Sequence, residues 1–134
     1  MRVFIDSNIL YSAIFAPSGT VNRAYFKAIT PPNVGLISEQ NIAELQKAFL
    51  RKSPDKLDAL KRFWTKASLI LKVVPIPEES TAAEFLIRDS ADRLIYRAAL
   101  HADADVLLTG DKDLLESGIT RPLIVSPAAF LELD

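Results

Sequence analysis

The chain has 134 residues, 49% of them hydrophobic and 25% charged, with a net charge of −1 and no cysteine. That length and apolar content suit one domain, expected over 1–134, with a single buried core, and they exclude a disordered or fibrous chain. Without thiols there is no disulfide staple, thiolate metal site or cysteine nucleophile; without an apolar run near 18 residues or a basic-then-apolar leader, the expectation is a soluble cytoplasmic protein with no membrane partner.

The small net charge hides an asymmetry. Between Arg23 and Lys66 nine basic residues face four acidic ones, whereas from Glu78 onward twelve acidic residues face five basic ones. Such a division suits a phosphate-binding wall beside an acidic pocket, although solvated helix faces would account equally well for any single lysine.

In chain order, Arg2 to Ile5 is predicted as a strand and Asn8 to Phe15 as a helix, ended by the Pro17-Ser18-Gly19 break. Thr20 is expected to cap a second helix on which Val21, Ala24, Tyr25 and Ala28 recur at helical spacing, before Pro31-Pro32-Asn33 stops it. Val34 to Ile37 reads as a short buried strand, and Ser38 as the N-cap of a helix to about Lys52, buried through Ile42, Leu45 and Phe49. Ser53-Pro54 is a strong helix start, and Leu57, Leu60, Trp64, Ala67 and Leu71 carry that helix at regular spacing, with Trp64 assigned to core packing. Val73 to Ile76 is predicted as a strand ending at Pro77, and Thr81 and Glu84 have capping-box spacing for a short helix to about Ile87. Ser90 is expected to cap a helix over Ala91 to Ala102 that buries Leu94, Ile95, Ala98 and Ala99. A strand over Val106 to Thr109, a turn of helix at Asp113 to Leu115, a strand over Leu123 to Val125 and a terminal helix opened by Pro127 complete the chain. Strands alternating with helices imply an α/β fold whose parallel sheet is covered on both faces.

Four acids stand where an apolar segment meets a polar one: Asp6, Glu44, Asp92 and Asp111. In an open parallel sheet that boundary is where ligands bind. Carboxylates gathered about 4 Å apart repel by roughly 1 kcal/mol per pair even in bulk water, and a divalent cation reverses the sign. With one histidine and no cysteine the chain is poorly equipped for zinc, so oxygen ligation of Mg2+ or Mn2+ is the natural choice. Singly, each acid has a plainer reading: Asp6 can cap the helix that follows, Asp92 suits a helix N-terminus, Glu44 can be an exposed mid-helix glutamate and Asp111 a turn residue. Asp89 is an accessory candidate that could equally cap its helix or pair with Arg93. Asn8 and Thr109 are accessory candidates because an amide or hydroxyl beside a carboxylate can orient it, and Ser7 and Ser12 share that possibility. His101, at a helix end, is expected to be structural.

Taken together, Val3 to Leu10, Ile37 to Leu45, Asp89 to Ile95 and Leu108 to Leu114 resemble the PIN domain, in order and spacing over nearly the whole chain, with Thr109-Gly110-Asp111-Lys112-Asp113-Leu114 the most specific match. Ile124 to Leu131 is similar to the family's last strand and terminal helix, close to the VapC-like toxins of toxin–antitoxin systems. The resemblance implies a three-layer α/β/α sandwich around a mostly parallel sheet and a metal-dependent ribonuclease. It matches Asp6, Glu44, Asp92 and Asp111 to the family's acidic quartet, Asp113 to an accessory acid and Asn8 to the asparagine that accompanies the first aspartate. Ser7 departs from the commoner threonine but keeps the hydroxyl. Relatives of this type commonly form homodimers and are silenced by a small antitoxin.

The expected function is therefore an endoribonuclease hydrolysing RNA phosphodiester bonds, the toxin of a type II pair, dependent on Mg2+ or Mn2+. Single-stranded or looped RNA suits a narrow acidic cleft, because its phosphates bend and its bases splay. Tyr11, Phe15 and Tyr25 are candidates to stack a base, against core packing as the plainer reading. The alternative is a non-catalytic PIN module that binds RNA or protein, whose mark would be the loss of one or more acids. A phosphatase or phospho-receiver fits less well, since Asp6-Ser7-Asn8 lacks a second aspartate and no aspartate is expected to end a middle strand as a phosphoacceptor would, with the strand before Asp6 read only as the first in the chain.

Overall fold

The computed structural model describes residues 1–15 and 18–133. Five strands, β1 (Arg2–Ile5), β2 (Val34–Ile37), β3 (Lys72–Val73), β4 (Val106–Leu108) and β5 (Leu123–Val125), form one sheet in the order β3-β2-β1-β4-β5. Every pairing is parallel, with Val3 opposite Gly35 and Val106, and Phe4 opposite Leu36 and Leu107. Parallel neighbours need crossovers, which helices supply: α1 (Ser7–Phe15), α2 (Thr20–Ile29), α3 (Glu39–Lys52), α4 (Leu57–Ala67), α5 (Ser90–His101) and α6 (Lys112–Leu115), while α7 (Pro127–Leu131) follows the last strand.

Side chains alternate across the sheet, so the three central strands feed two cores. Val3, Ile5, Ile37, Val106 and Leu108 pack on Ile9 and Leu10 of α1, Ala24, Tyr25 and Ala28 of α2, Leu45 and Phe49 of α3, Leu60 and Ala67 of α4 and Phe130 of α7. Phe4, Leu36 and Leu107 face the other way, onto Ile95, Ala98 and Ala99 of α5 and Leu114 of α6. This is the expected three-layer α/β/α arrangement, with a sheet wholly rather than mostly parallel. On the larger face Gly35 is closely packed: a Cβ there would lie 2.8 Å from Leu71 Cδ2 and 3.1 Å from Ile29 Cγ2, so those side-chain ends would have to move aside. No helix among the described residues is long and apolar enough to cross a membrane.

The elements match the sequence reading closely, and the differences are local. Pro17 of the expected break lies outside the described residues. Thr20 is the first helical residue rather than the cap, a place taken by Gly19 at φ 106, where a glycine is needed. Asp89 rather than Ser90 caps α5, its carboxylate accepting from the Ala91 amide. After Ser53 the chain makes one 3-10 turn, Pro54–Lys56, before α4, and α4 ends at Ala67, with Leu71 buried beyond it. β3 stops at Val73, although the Val74 amide still donates to the Ile37 carbonyl; Pro75 then has no N–H to continue the ladder.

Thr81 and Glu84 do approach each other, but around a 3-10 turn, Ala83–Leu86: Glu84 Oε1 accepts from the Thr81 amide at 2.7 Å and from its hydroxyl at 3.0 Å. Glu84 is buried and bonded by Arg97 of α5 through both carboxylate oxygens, which holds its carboxyl down at about 2. That pair ties the segment before α5 to the helix carrying Asp92.

Candidate active site

In the strand order β3-β2-β1-β4-β5 the crossovers run to one side from β1 through β2 and to the other through β4, so the switch point lies between β1 and β4. Asp6 leaves the C-terminal end of β1 and Asp111 follows the end of β4 by three residues. The Asp6 amide donates to the Leu108 carbonyl at 2.9 Å, which fixes the two strand ends side by side. A cleft of about 610 Å³ opens there, lined by Asp6, Glu44, Asp89, Asp92 and Asp111 and also by Tyr11, Arg51 and Lys52. All four acids of the quartet therefore reach one hollow, from β1, α3, α5 and the loop after β4.

Their supports differ. Asp6 is buried; its Oδ1 accepts from the Ser7 amide at 2.7 Å and its Oδ2 from the Thr109 hydroxyl at 2.6 Å. Thr109 in turn accepts from the Asp111 amide at 3.0 Å, so one hydroxyl sets the spacing of two acids. Asn8 is exposed and accepts from the Gly110 amide at 3.3 Å, bracing the same loop. Glu44 Oε1 accepts from the Ser7 hydroxyl at 2.8 Å. Asp111 caps α6, its Oδ1 accepting from the Asp113 amide at 2.9 Å.

The tightest grouping is Asp92, Asp111 and Asp113, which can each offer a carboxylate oxygen within 4.8 Å of the others. It joins two of the quartet to the accessory Asp113; Asp6 and Glu44 line the cleft outside that triad. Asp113 also carries the exposed guanidinium of Arg88 at 2.7 Å. Among the described residues the only other ion pair is Arg97 with Glu84, so no cation of the chain neutralises Asp6, Glu44, Asp92 or Asp111. Asp89 does not pair with Arg93, whose Nε donates to the Ile87 carbonyl. His101 is exposed, at the far end of α5.

Electrostatics follow from this burial. Desolvation, opposed by the Thr109 and Ser7 hydrogen bonds and helped by Glu44 and Asp111, pushes the Asp6 carboxyl up to about 6. Desolvation also raises Glu44, against the bonds from Ser7 and Gln40. Asp92 is raised most, by burial first and then by Asp111, Asp6 and Asp89. Its Oδ2 is buried with no hydrogen-bond partner. A buried carboxylate oxygen without a donor, next to two further carboxylates, is costly unless protonated or bound to a cation. The donor set is all oxygen, as a hard divalent cation requires, so the residues fit such an ion.

Sequence reasoning missed Asn41, which is fully buried and supports the site from beneath. Its Oδ1 accepts from the Ser38 amide and hydroxyl at 2.8 and 2.9 Å, and its Nδ2 donates to the Ile5 carbonyl at 2.9 Å and to Ser7 Oγ at 3.2 Å. One amide thus joins the ends of β1 and β2 to the start of α3 and holds the serine that donates to Glu44. The signal was present: Asn41 stands three residues after Ser38, the spacing of a reciprocal cap. Of the aromatic candidates, Tyr25 is buried and Phe15 stacks on Phe49 at 5.1 Å, whereas Tyr11 lines the cleft.

No curated protein matches the chain in sequence. Among solved structures it is similar to a chain of the crystal structure of VapBC2 from Rickettsia felis bound to a DNA fragment from their promoter. The TM-score is 0.70 at 19% identity, over 94% of this chain and 98% of that one. At that identity the likeness speaks for the fold. The PIN domain family model matches residues 2–113, from the first strand of the sheet through Asp111 and the start of α6 with Asp113, and on that match the chain belongs to the PIN domain family.

Proposed function

We propose that this chain, acting as one domain over 1–134, is a metal-dependent endoribonuclease, the VapC-like toxin of a type II toxin–antitoxin pair. The observation that carries the reading is the unpartnered buried Oδ2 of Asp92 beside Asp111 and Asp113. Repulsion at that position is a standing cost to the fold, and Mg2+ or Mn2+ is the partner that removes it. Asp92, Asp111 and Asp113 are the residues to hold the first ion, and Asp6 and Glu44 those that line the same cleft beside it.

Bound there, a divalent cation supplies Lewis acidity toward phosphoryl oxygens and acidifies a coordinated water. The chain does the rest. Glu44, half-buried, raised in proton affinity and aimed by the Ser7 hydroxyl, is placed to take up the proton of an attacking water. Asp6 is fixed through both oxygens and holds negative charge at the strand end. Arg51 and Lys52, at the C-terminal end of α3 in the same cleft, offer cations to a phosphodiester backbone, and Lys52 stands over the ring of Tyr11, which lines the cleft beside them.

Of the nine basic residues between Arg23 and Lys66, three are placed elsewhere. Lys27 is spent on the carbonyls of Phe130 and Leu133, and Arg62 and Lys66 line a separate groove between α1 and α4. The likeness to a chain of the VapBC2 complex supports a protein antitoxin as partner; the cytoplasm and a homodimer belong to the same reading.

Cleavage of a mixed-sequence single-stranded RNA in manganese and in EDTA tests the proposal. Cleavage is expected only with the metal and is lost in Asp111→Asn. RNA left intact in manganese, but bound equally well by wild type and Asp111→Asn, favours the non-catalytic module instead.

A further inference from the structure

A second groove, of about 690 Å³, adjoins the acidic cleft and shares Glu44, Ala48 and Arg51 with it. It runs along the outer face of α3 toward the start of α5, lined by Gln40, Gln46, Lys47 and Leu50 besides the shared residues. Lys47 and Arg51 are exposed, stand one helical turn (about 6 Å) apart on one face, and form no ion pair among the described residues. Leu50 is 62% exposed between them. Two unneutralised cations in register, amides on either side and an exposed aliphatic surface are complementary to a sugar–phosphate chain: charge for phosphates, hydrogen bonds and apolar contact for ribose. The acidic centre repels phosphate, so Lys47 and Arg51, about one and two turns beyond Glu44 on the same helix, are where the strand can be gripped.

We propose that the groove on α3 is a second nucleic-acid subsite, in which Lys47 and Arg51 bind backbone phosphates flanking the one at the acidic centre. The two hollows then form one track that bends past Glu44. This rests on the nuclease reading for the identity of the polyanion, and it adds a length requirement: the strand must extend beyond the cut on the Lys47 side. Lys47 and Arg51 act as binding residues and take no part in bond breaking.

The test is fluorescence anisotropy of a labelled 12-nucleotide single-stranded RNA with the full chain in EDTA, over a range of salt concentrations. Lys47→Gln/Arg51→Gln is compared with wild type and with Arg62→Gln/Lys66→Gln on the separate groove. All four positions are exposed on helices, and thermal melts check that each variant folds. Expected are a Kd at least tenfold weaker for the first variant and a slope of log affinity against log salt shallower by about 1.4, from two lost phosphate contacts. The second variant should stay within twofold of wild type. An unchanged Kd and slope in Lys47→Gln/Arg51→Gln, an equal loss in the control, or a wild type that does not bind the 12-mer overturns the track. RNA left uncut in manganese while the binding difference holds overturns the nuclease reading and leaves the track standing.

Discussion

At Asp92 an unpartnered carboxylate oxygen is buried beside Asp111, and folding must either keep a proton there or supply a cation. Replacing it by asparagine removes a charge while keeping the shape. In EDTA, Asp92→Asn should melt several degrees above wild type, and millimolar manganese should stabilise it far less than it stabilises wild type. A melting temperature that falls in EDTA would show that the charge was already compensated. Asp6→Asn and Asp111→Asn act on chemistry: each should cut metal-dependent RNA cleavage by about 100-fold or more, roughly 3 kcal/mol of transition-state stabilisation, and steady-state turnover measures it. Near-normal turnover in either variant would remove that residue from the assigned set.

The α1 and α3 starts are tied together by one buried side chain, and that makes Asn41 a test of how elements hold the site. Asn41→Ala would strand the Ser38 amide and the Ile5 carbonyl without partners, at about 1 to 3 kcal/mol for each group left unsatisfied. Urea unfolding should register a loss of about 2 to 6 kcal/mol. The Ser7 hydroxyl also loses its anchor, so kcat should fall more than KM rises. A loss below about 0.5 kcal/mol would mean that solvent satisfies these groups.

Element boundaries show how far local signals reach. Asp89 and Ser90 are both good caps, and only the path of the chain into α5 selects the aspartate. Thr20 looked like a cap for the same reason, yet the backbone turns one residue earlier, at the glycine. At Ser38 and at Pro127 the helix starts where expected, whereas after Ser53-Pro54 a 3-10 turn comes first.

Across the whole molecule, two groups of carboxyls oppose each other in their pH response. Asp6, raised from 3.8 to about 6 by burial, binds more proton folded than unfolded. Its contribution to metal-free stability is therefore full below about pH 4 and is lost as pH rises through 6, for roughly 3 kcal/mol. Glu44 and Asp92 are raised and act in the same direction. Glu84, lowered to about 2 by Arg97, works the other way: its contribution is present above about pH 4.5 and is lost as pH falls toward 2. Thermal melts in EDTA should thus peak near pH 4 to 5 and decline by about 5 to 10 °C toward pH 8. Manganese should flatten that decline, because it competes with protons for the same oxygens. A melting temperature in EDTA that climbs steadily from pH 5 to pH 8 would contradict the burial of these acids.

Sequence periodicity alone determined the alternation of strands and helices and the two-sided parallel sheet, because burial of apolar faces repeats at fixed spacing and needs no knowledge of partners. It also marked Asp6, Glu44, Asp92 and Asp111, since polar residues at the ends of apolar segments are visible in one dimension. What only the tertiary structure decided is how the acids group: Asp113 joins Asp92 and Asp111, while Asp6 and Glu44 line the same cleft outside that triad. Nor could spacing show that Asn41 bonds to Ile5, 36 positions away, or that Arg97 reaches Glu84. Such pairings depend on how β1, β2, β4 and α5 are brought side by side, and contacts between distant segments leave no periodic trace in the chain that makes them.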